Sequence, residues 1–323
     1  MRRFGCLILV IATVIIGLVA GNFIYGWNAS GPSANERQIV IKSGSSLGMA
    51  ANALEDAGVI KSADAFLNRA KIFGGSEPIK AGEFIIPAGA SNSTILNILQ
   101  GGKTVQRLIT IPEGTPSIIV HEKLMAEKLL TGEVSVPTEG SILPDSYSFE
   151  RGEPRAAVVA RMQKAMTDTI AELWPKKTAA SVVKTPEEAI ILAAIVEKET
   201  ALASERRTVA AVYSNRVTRN MMLQADPTII YPITKGKPLG RRIRQSEIAA
   251  VNDYNTYSMV GLPKGPIANP GRASIEAVLN PAKSEYLFFV ADGKGGHVFA
   301  KTLAEHNANV EKWFAIRRER GEM

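Results

Sequence analysis

Residues 185–200 read TPEEAIILAAIVEKET, and this stretch decides the predicted fold. It opens with a capping box, because Thr185 takes the N-cap position, Pro186 the first helical position and Glu188 the third. At about 100° per residue, the bulky aliphatic residues that follow gather on one side: Ile191, Leu192, Ile195 and Val196. The stretch therefore predicts a capped helix that packs its aliphatic side against a core.

Glu199 falls near the centre of that aliphatic side, whereas Glu197 projects nearly opposite, over the small surface of residues 190, 193 and 194. A carboxyl at the end of an apolar stripe is partly desolvated, which raises its pKa. A general acid that works near neutral pH needs such a shift. The alternative is structural: Glu199 merely ends the buried stripe and reaches water or Arg206. Spacing alone leaves both interpretations open.

The first residues predict a membrane anchor. Arg2 and Arg3 precede an uncharged stretch from Phe4 to Trp27, and roughly 20 helical residues cross a hydrocarbon core. The two arginines favour a cytoplasmic N-terminus, which puts the rest of the chain on the outer side. A cleaved signal peptide is the alternative, but its apolar region is shorter, about 7–15 residues, and ends in small residues. This stretch ends in Tyr25 and Trp27, which suit a membrane interface, so we expect a retained single-pass anchor.

Four regions follow the anchor, which we assign to residues 1–27. Residues 28–37 are small, polar and contain Pro and Gly, which predicts a short linker. Residues 38–104 predict the order strand, helix, helix, strand, helix, which resembles a LysM-like module, a small fold that commonly binds glycan chains. Residues 105–184 are interpreted as an α/β connecting region, and residues 185–323 as the domain built on the capped helix.

The composition restricts the partners and the kinds of site that the chain can have. A total of 38 Lys and Arg against 31 Asp and Glu gives a net charge of +7, a mild excess that suits anionic lipid or an anionic polymer. Nucleic acid is disfavoured as a partner, because the predicted span carries the basic surface out of the cytoplasm. The single cysteine excludes an internal disulfide, and the three histidines have no spacing suited to a metal site.

A series of short strings runs along the chain in a fixed order: ITIPEG (109–114), LPDSY (143–147), AAIVEKETALASER (193–206), NR (215–216), LQADPTIIY (223–231), YNTY (254–257), GLPKGPIANPG (261–271), GGHVF (295–299) and EHN (305–307). Their number, order and spacing resemble the YceG-like endolytic murein transglycosylases over roughly residues 39–314. The chain departs from the family pattern at Lys264, where Pro is usual, and at Ala225, where Ser is usual. Both departures concern fine substrate contacts rather than the reaction.

The resemblance implies an α+β chain with an inner-membrane anchor, a LysM-like module and a lysozyme-like, mostly helical catalytic domain with small β elements. It implies a periplasmic enzyme that cleaves MurNAc–GlcNAc bonds of nascent peptidoglycan strands endolytically, leaves 1,6-anhydroMurNAc ends, terminates strand elongation and works with peptidoglycan synthases. It also selects Glu199, because lysozyme-like transglycosylases carry the catalytic Glu before a hydroxyl residue, as in Glu199-Thr200. One carboxyl suffices for that reaction, and no metal or organic cofactor is required.

Residues after the catalytic helix are predicted to bind the substrate: Gln224, Asp226, Tyr254, Asn255 and Tyr257. Side chains of these kinds stack on sugar faces and bond to hydroxyl and acetamido groups. Loop structure is the alternative for each of them, since an Asp before a Pro is a natural turn residue and tyrosines often pack half-buried.

Two other functions compete. A non-catalytic, membrane-anchored glycan-binding tether or assembly factor needs only the anchor and the LysM-like module, but it has no use for Glu199 on an apolar stripe. A serine hydrolase with Ser46 of GSSLG as nucleophile is disfavoured, because short Gly/Ser loops match that pattern often by chance. We assign His297, beside a hairpin turn, a structural role, and Glu305 the role of a helix cap.

Overall fold

The computed structural model describes residues 2–42 and 44–322, with side chains from Val10 onward. The chain divides into two units, which are Met1–Arg107 with Ser148–Gly152 (unit 1) and Leu108–Tyr147 with Glu153–Met323 (unit 2). Helices dominate, and the strands form small two-stranded sheets, which confirms the predicted mixture of helix and sheet. The units do not divide at the predicted boundaries, since residues 105–184 form no unit of their own.

Unit 1 contains α1 (Arg2–Asn28), β1 (Arg37–Ile41), α2 (Leu47–Asp56), α3 (Ala63–Phe73), β2 (Gly82–Ile86) and α4 (Asn92–Gly101). The order from β1 to α4 is the predicted one. β1 and β2 pair antiparallel, with Ile39 opposite Phe84, and both side chains are buried in the core of the unit. Ser46 Oγ accepts a hydrogen bond from the backbone N–H of Met49 at 3.2 Å, so this serine caps α2.

The membrane-length helix α1 continues into the core of unit 1. Its segment Val10–Asn28 is long and apolar enough to cross a membrane. Trp27, however, is only 6% exposed, and its ring lies 6.2 Å from that of Phe66 and 5.8 Å from that of Phe73. Trp27 is therefore a core residue and not the interfacial aromatic that we predicted. The side chains of Arg2 and Arg3, on which the predicted orientation depends, lie outside the described part of the chain.

Residues 28–37 pack against unit 1 and do not form the predicted free linker. The Gly31 N–H donates to the Gly89 carbonyl at 3.1 Å, and the Gly89 N–H donates to the Ser33 carbonyl at 2.8 Å. A Cβ on Gly31 would lie 2.4 Å from the Ala90 carbonyl oxygen, so only glycine permits this approach of two backbones. The small residues of this segment predicted a flexible linker, but in the structure they allow two backbone segments to pack closely.

The remaining elements are β3 (Arg107–Thr110), α5 (Ser117–Ala126), β4 (Ser146–Phe149), α6 (Arg155–Leu173), a short 3-10 helix (Trp174–Lys176), α7 (Pro186–Glu199), α8 (Ala203–Thr218), α9 (Asp226–Thr234), α10 (Gln245–Ile248), α11 (Arg272–Leu279), β5 (Phe288–Ala291), β6 (His297–Ala300) and α12 (Leu303–Glu319). β3 pairs with β4, and β5 pairs antiparallel with β6.

The helix α7 is the centre of unit 2, and it begins where the capping box predicts. Thr185 Oγ1 accepts a hydrogen bond from the Glu188 N–H at 3.2 Å. Every residue from Ile191 to Val196 is buried, the two alanines as completely as their aliphatic neighbours, and α8 and α11 both pack on this helix. The expected one-sided stripe is therefore wrong: α7 is enclosed by the core, as a helix that is apolar all round has to be.

Candidate active site

The pocket that contains Glu199 lies at the C-terminal end of α7 and has a volume of about 280 Å³. Pockets that bind drug-sized ligands have volumes of roughly 300–1,000 Å³, so this pocket is close to the lower limit of that range. Its lining side chains come from α7, α8, α9, α12, β5 and two loops: Glu199, Tyr213, Arg216, Leu223, Gln224, Asp226, Tyr257, Phe289 and His306.

Thr200 ends α7 directly after Glu199. Its backbone is extended, with φ −140° and ψ 129°, and its hydroxyl accepts a hydrogen bond from the Leu202 N–H at 3.1 Å. The Glu199 carboxyl therefore stands at the negative end of a helix dipole, where a carboxylate is disfavoured. The hydroxyl residue that follows the glutamate thus turns the chain away and leaves the carboxyl at the helix end.

Burial raises the pKa of Glu199 to about 7, because the ionised carboxylate is taken out of water. A hydrogen bond from Tyr213 and the positive charge of Arg216 act in the opposite direction, while the negative charge of Asp226 adds to the increase. Near neutral pH the carboxyl is thus divided between its acid and base forms. This is the protonation behaviour that a residue needs in order to donate and then take back a proton.

Two residues of α8, Tyr213 and Arg216, line the pocket. Tyr213 is 2% exposed, and burial raises the pKa of its phenol, which therefore stays protonated and donates to Glu199. Arg216 lies three residues further on, on the same side of the helix. Its Nε donates to the Leu287 carbonyl at 2.7 Å, and its Nη1 donates to the Leu223 carbonyl at 2.9 Å and to Gln224 Oε1 at 3.2 Å.

The structure brings three of the predicted substrate residues to this pocket: Gln224, Asp226 and Tyr257. Gln224 has a left-handed backbone (φ 53°), and its N–H donates to the Thr256 carbonyl at 3.0 Å, which joins the loop before α9 to the loop of Tyr257. The Tyr257 hydroxyl donates to Asp226 Oδ1 at 2.7 Å. Both residues of this pair line the pocket, and Asp226 is exposed to solvent.

Asn255 and Tyr254 do not reach the pocket lining. Asn255 is completely buried, and its Nδ2 donates to the carbonyls of Ile248 and Ala250 at 2.9 and 2.6 Å. The predicted sugar contact of Asn255 is therefore wrong. Its Oδ1 accepts the Tyr257 N–H at 3.0 Å, so it positions that loop. Tyr254 packs on Tyr231 with ring centroids 4.9 Å apart, away from Glu199, and the structure does not support the prediction that it helps to bind the substrate there.

The sequence pattern of the YceG-like family matches residues 39–312. The chain belongs to the YceG-like family. A Bacillus subtilis protein named endolytic murein transglycosylase is 29% identical over 94% of this chain and 93% of its own length. A Streptococcus pneumoniae protein of the same name is 30% identical over 86% of this chain and 59% of its own length. The crystal structure of a YceG-like protein from Listeria monocytogenes is 27% identical, covers 85% of this chain and 99% of that chain, and superposes with a TM-score of 0.53.

Glu197, which lies two residues before Glu199 on α7 of this YceG-like chain, is engaged elsewhere. The Gly271 N–H donates to Glu197 Oε2 at 2.9 Å, and Arg206 Nη2 lies 3.5 Å from Glu197 Oε1 and 3.6 Å from Glu113 Oε2. Arg206, considered above as a structural partner of Glu199, therefore pairs with these two carboxylates instead. Glu197 joins α7 to the N-terminus of α11 and is almost fully covered, with 5% of its side chain exposed.

Sequence reasoning missed five side chains that line the pocket: Tyr213, Arg216, Leu223, Phe289 and His306. The spacing of Tyr213 and Arg216 shows that they share one side of α8, but nothing in the sequence shows that this side meets the end of α7. His306 follows Glu305, whose predicted capping of α12 is confirmed by reciprocal bonds with Thr302. His297 Nδ1 lies 2.8 Å from Glu205 Oε2, which agrees with the structural role we assigned it.

Proposed function

We propose that this YceG-like chain is a membrane-anchored lytic transglycosylase that cleaves MurNAc–GlcNAc bonds of peptidoglycan strands, with Glu199 as its acid and base. The observation that carries the proposal is the Glu199 carboxyl, which lines the pocket at the end of α7 and whose pKa is raised by burial to about 7. The names of the Bacillus and Streptococcus relatives support murein as the substrate.

In the proposed reaction, protonated Glu199 donates its proton to the glycosidic oxygen as the bond between that oxygen and MurNAc C1 breaks. The ionised carboxylate then takes the proton of the MurNAc C6 hydroxyl while that oxygen forms a new bond to C1. The products are a 1,6-anhydroMurNAc end and a free GlcNAc hydroxyl, and Glu199 is protonated again. No water is consumed, because the nucleophile belongs to the substrate and is already in position.

The residues around Glu199 can stabilise the charges that develop in this reaction. The Asp226 carboxyl, which accepts a hydrogen bond from the Tyr257 hydroxyl, lines the pocket where the oxocarbenium-like charge develops and can stabilise that charge. Tyr213 donates to Glu199 and so stabilises the carboxylate that forms when the proton leaves. Gln224, whose amide is held by Arg216, is positioned to bond to sugar hydroxyls.

The deciding experiment is mass spectrometry of strands released from isolated sacculi by the full-length protein in detergent. We expect anhydroMurNAc ends at internal cleavage positions, and no release by the Glu199→Gln variant. Reducing MurNAc ends would mean that water is the nucleophile, with Asp226 the nearby carboxylate able to activate it, and the enzyme would be a hydrolase. Release of only short fragments from strand ends would contradict endolytic cleavage and a role in terminating elongation with peptidoglycan synthases.

We also propose that α1 is retained as an inner-membrane anchor, with a cytoplasmic N-terminus and a periplasmic catalytic unit. The support is the burial of Trp27 in unit 1, because cleavage of a signal peptide after this stretch would remove a core residue. A reporter that is active only outside the cytoplasm, fused after Met323, should be active, and the protein should stay with membranes in high salt. Activity of a cytoplasmic reporter instead would place Glu199 away from peptidoglycan.

A non-catalytic tether remains the alternative function. It requires glycan binding by unit 1 and assigns no role to the carboxyl of Glu199. Cells that produce only the Glu199→Gln protein separate the two functions: a tether would support normal strand lengths, whereas loss of the enzyme should lengthen them.

A further inference from the structure

Two exposed apolar side chains of unit 1 lie beside the membrane-length helix. Ile72 and Phe73, the last residues of α3, are 67% and 40% exposed. With one side of α1 they line a groove of about 430 Å³ in which every lining side chain is apolar. The residues that α1 contributes are Ile15, Ile16, Val19, Ala20, Phe23 and Ile24. An exposed apolar surface of this kind indicates an apolar partner.

The length of the span gives the depth of this groove in the membrane. Arg3 is the last charged residue before the apolar stretch, and about 20 helical residues cross the hydrocarbon. Counting about 20 residues from Phe4 places the outer boundary of the hydrocarbon near Phe23. The α1 side of the groove therefore lies in the outer half of the hydrocarbon and at its boundary.

The end of α3 is fixed against α1 at this boundary. The ring of Phe73 lies 5.7 Å from that of Phe23 and 5.8 Å from that of Trp27. Arg69 Nε donates to the Phe23 carbonyl at 3.2 Å, and the guanidinium carbon lies 5.3 Å from the centre of the Phe23 ring. Ile72 and Phe73 therefore share the depth of Phe23, where headgroups and acyl chains meet.

The residues around this end of α3 are compatible with contact to lipid. Gln100 Nε2 donates to the Gly74 carbonyl at 3.2 Å and to the Glu77 carbonyl at 2.7 Å, so these two carbonyls of the turn after α3 are paired within the protein. Lys71 is exposed, and its long apolar stem allows its ammonium to reach lipid phosphates. The exposed carboxylate of Glu77 limits insertion to the headgroup boundary.

We propose that unit 1 sits directly on the outer leaflet, with Ile72 and Phe73 at the boundary of the hydrocarbon and a phospholipid acyl chain in the groove beside α1. This inference rests on the retained anchor of the proposed function. An acyl chain is the occupant that the depth favours, because lipid surrounds this part of a spanning helix. Unit 1 is then held at the membrane surface and not on a mobile tether.

The first test places a fluorescent label at position 72 of the full-length protein in vesicles. Cys6 is the only cysteine of the chain, so Cys6→Ala with Ile72→Cys leaves one thiol for a nitrobenzoxadiazole label. The vesicles contain phosphatidylcholine and phosphatidylglycerol with acyl chains brominated either near the headgroup or near the methyl end. Ile85→Cys is the matched control, because Ile85 is an isoleucine of unit 1 that is 45% exposed but lies on β2, outside the groove.

Quenching by lipids brominated near the headgroup should be several-fold stronger at position 72 than at position 85. At position 72 it should also be stronger than quenching by lipids brominated near the methyl end. A second measurement needs no label on the protein. Phosphatidylcholine with a diazirine in its acyl chain, photolysed in the same vesicles with the unsubstituted protein, should attach to Ile72 or Phe73 as well as to α1.

Weak quenching at both positions, or attachment of the lipid to α1 but not to α3, would overturn the contact of unit 1 with the membrane. Strong and equal quenching at both positions would mean unspecific adsorption and would also overturn it. Crosslinks between the α1 helices of two copies in place of lipid would assign the groove to a dimer. Protein that stays with membranes but keeps Ile72 in water would refute this inference and leave the anchor standing, whereas loss of α1 by cleavage would refute both.

Discussion

Glu199→Gln should abolish cleavage and at the same time stabilise the folded protein at alkaline pH. Burial raises the pKa of Glu199 from 4.5 to about 7 in the folded state. Because the folded pKa is the higher one, the folded chain binds the proton more tightly than the unfolded chain. The stabilisation from this proton is complete below about pH 4.5 and is lost as the pH rises to about 7.

The size of this effect follows from the two pKa values. A difference of this size corresponds to about 3 kcal/mol of unfolding free energy. Glutamine does not titrate, so the Glu199→Gln variant does not lose this stabilisation as the pH rises. Relative to wild type, the stability of Glu199→Gln should increase by about 3 kcal/mol between pH 4 and pH 8. Cleavage should fall by about 10²–10⁴-fold or more, as when a positioned general acid is removed.

The assay is urea unfolding of both proteins across this pH range, together with release of strands from sacculi. Glu197→Gln is the matched control on the same helix. It should keep substantial activity but lose about 1–3 kcal/mol of stability, because the Gly271 N–H and Arg206 lose a carboxylate partner. A stability difference between wild type and Glu199→Gln that does not change with pH would refute the raised pKa. Loss of cleavage in Glu197→Gln but not in Glu199→Gln would refute the assignment of the acid.

Three further substitutions test the pocket and the anchor. Asp226→Asn removes a negative charge that raises the pKa of Glu199, so the fall of the cleavage rate with pH should move to lower pH; an unmoved pH profile would contradict this coupling. Tyr213→Phe removes a hydrogen bond that lowers the pKa of Glu199, so the pH profile of cleavage should move to higher pH. A shift to lower pH, as expected for Asp226→Asn, would show that one of the two contacts with Glu199 is wrongly assigned. Trp27→Ala should destabilise unit 1 by about 3–5 kcal/mol, measured by thermal unfolding of the full-length protein; unchanged stability would mean that the end of α1 lies in the membrane and not in the core.

The sequence alone predicted those features of the fold that depend on a single helix, strand or loop. The capping box fixed the start of α7. The apolar run fixed the membrane-length helix, and the alternation of short elements between Arg37 and Gly101 gave the order of unit 1. Three of the residues predicted to bind the substrate, Gln224, Asp226 and Tyr257, lie in the same pocket as Glu199, and their contact with a sugar stays a prediction.

Only the tertiary structure decided which sides of these elements meet. Helical spacing gives directions around one axis, so it placed Glu197 and Glu199 apart but could not show that core surrounds α7 on every side. For the same reason it could not bring His306 to the pocket, since this residue is far along the chain. It also could not distinguish Asn255, buried by bonds to its own loop, from the half-buried Tyr254 and Tyr257 beside it. Burial depends on packing between distant segments, and burial raises the pKa of Glu199 and lowers that of Arg216.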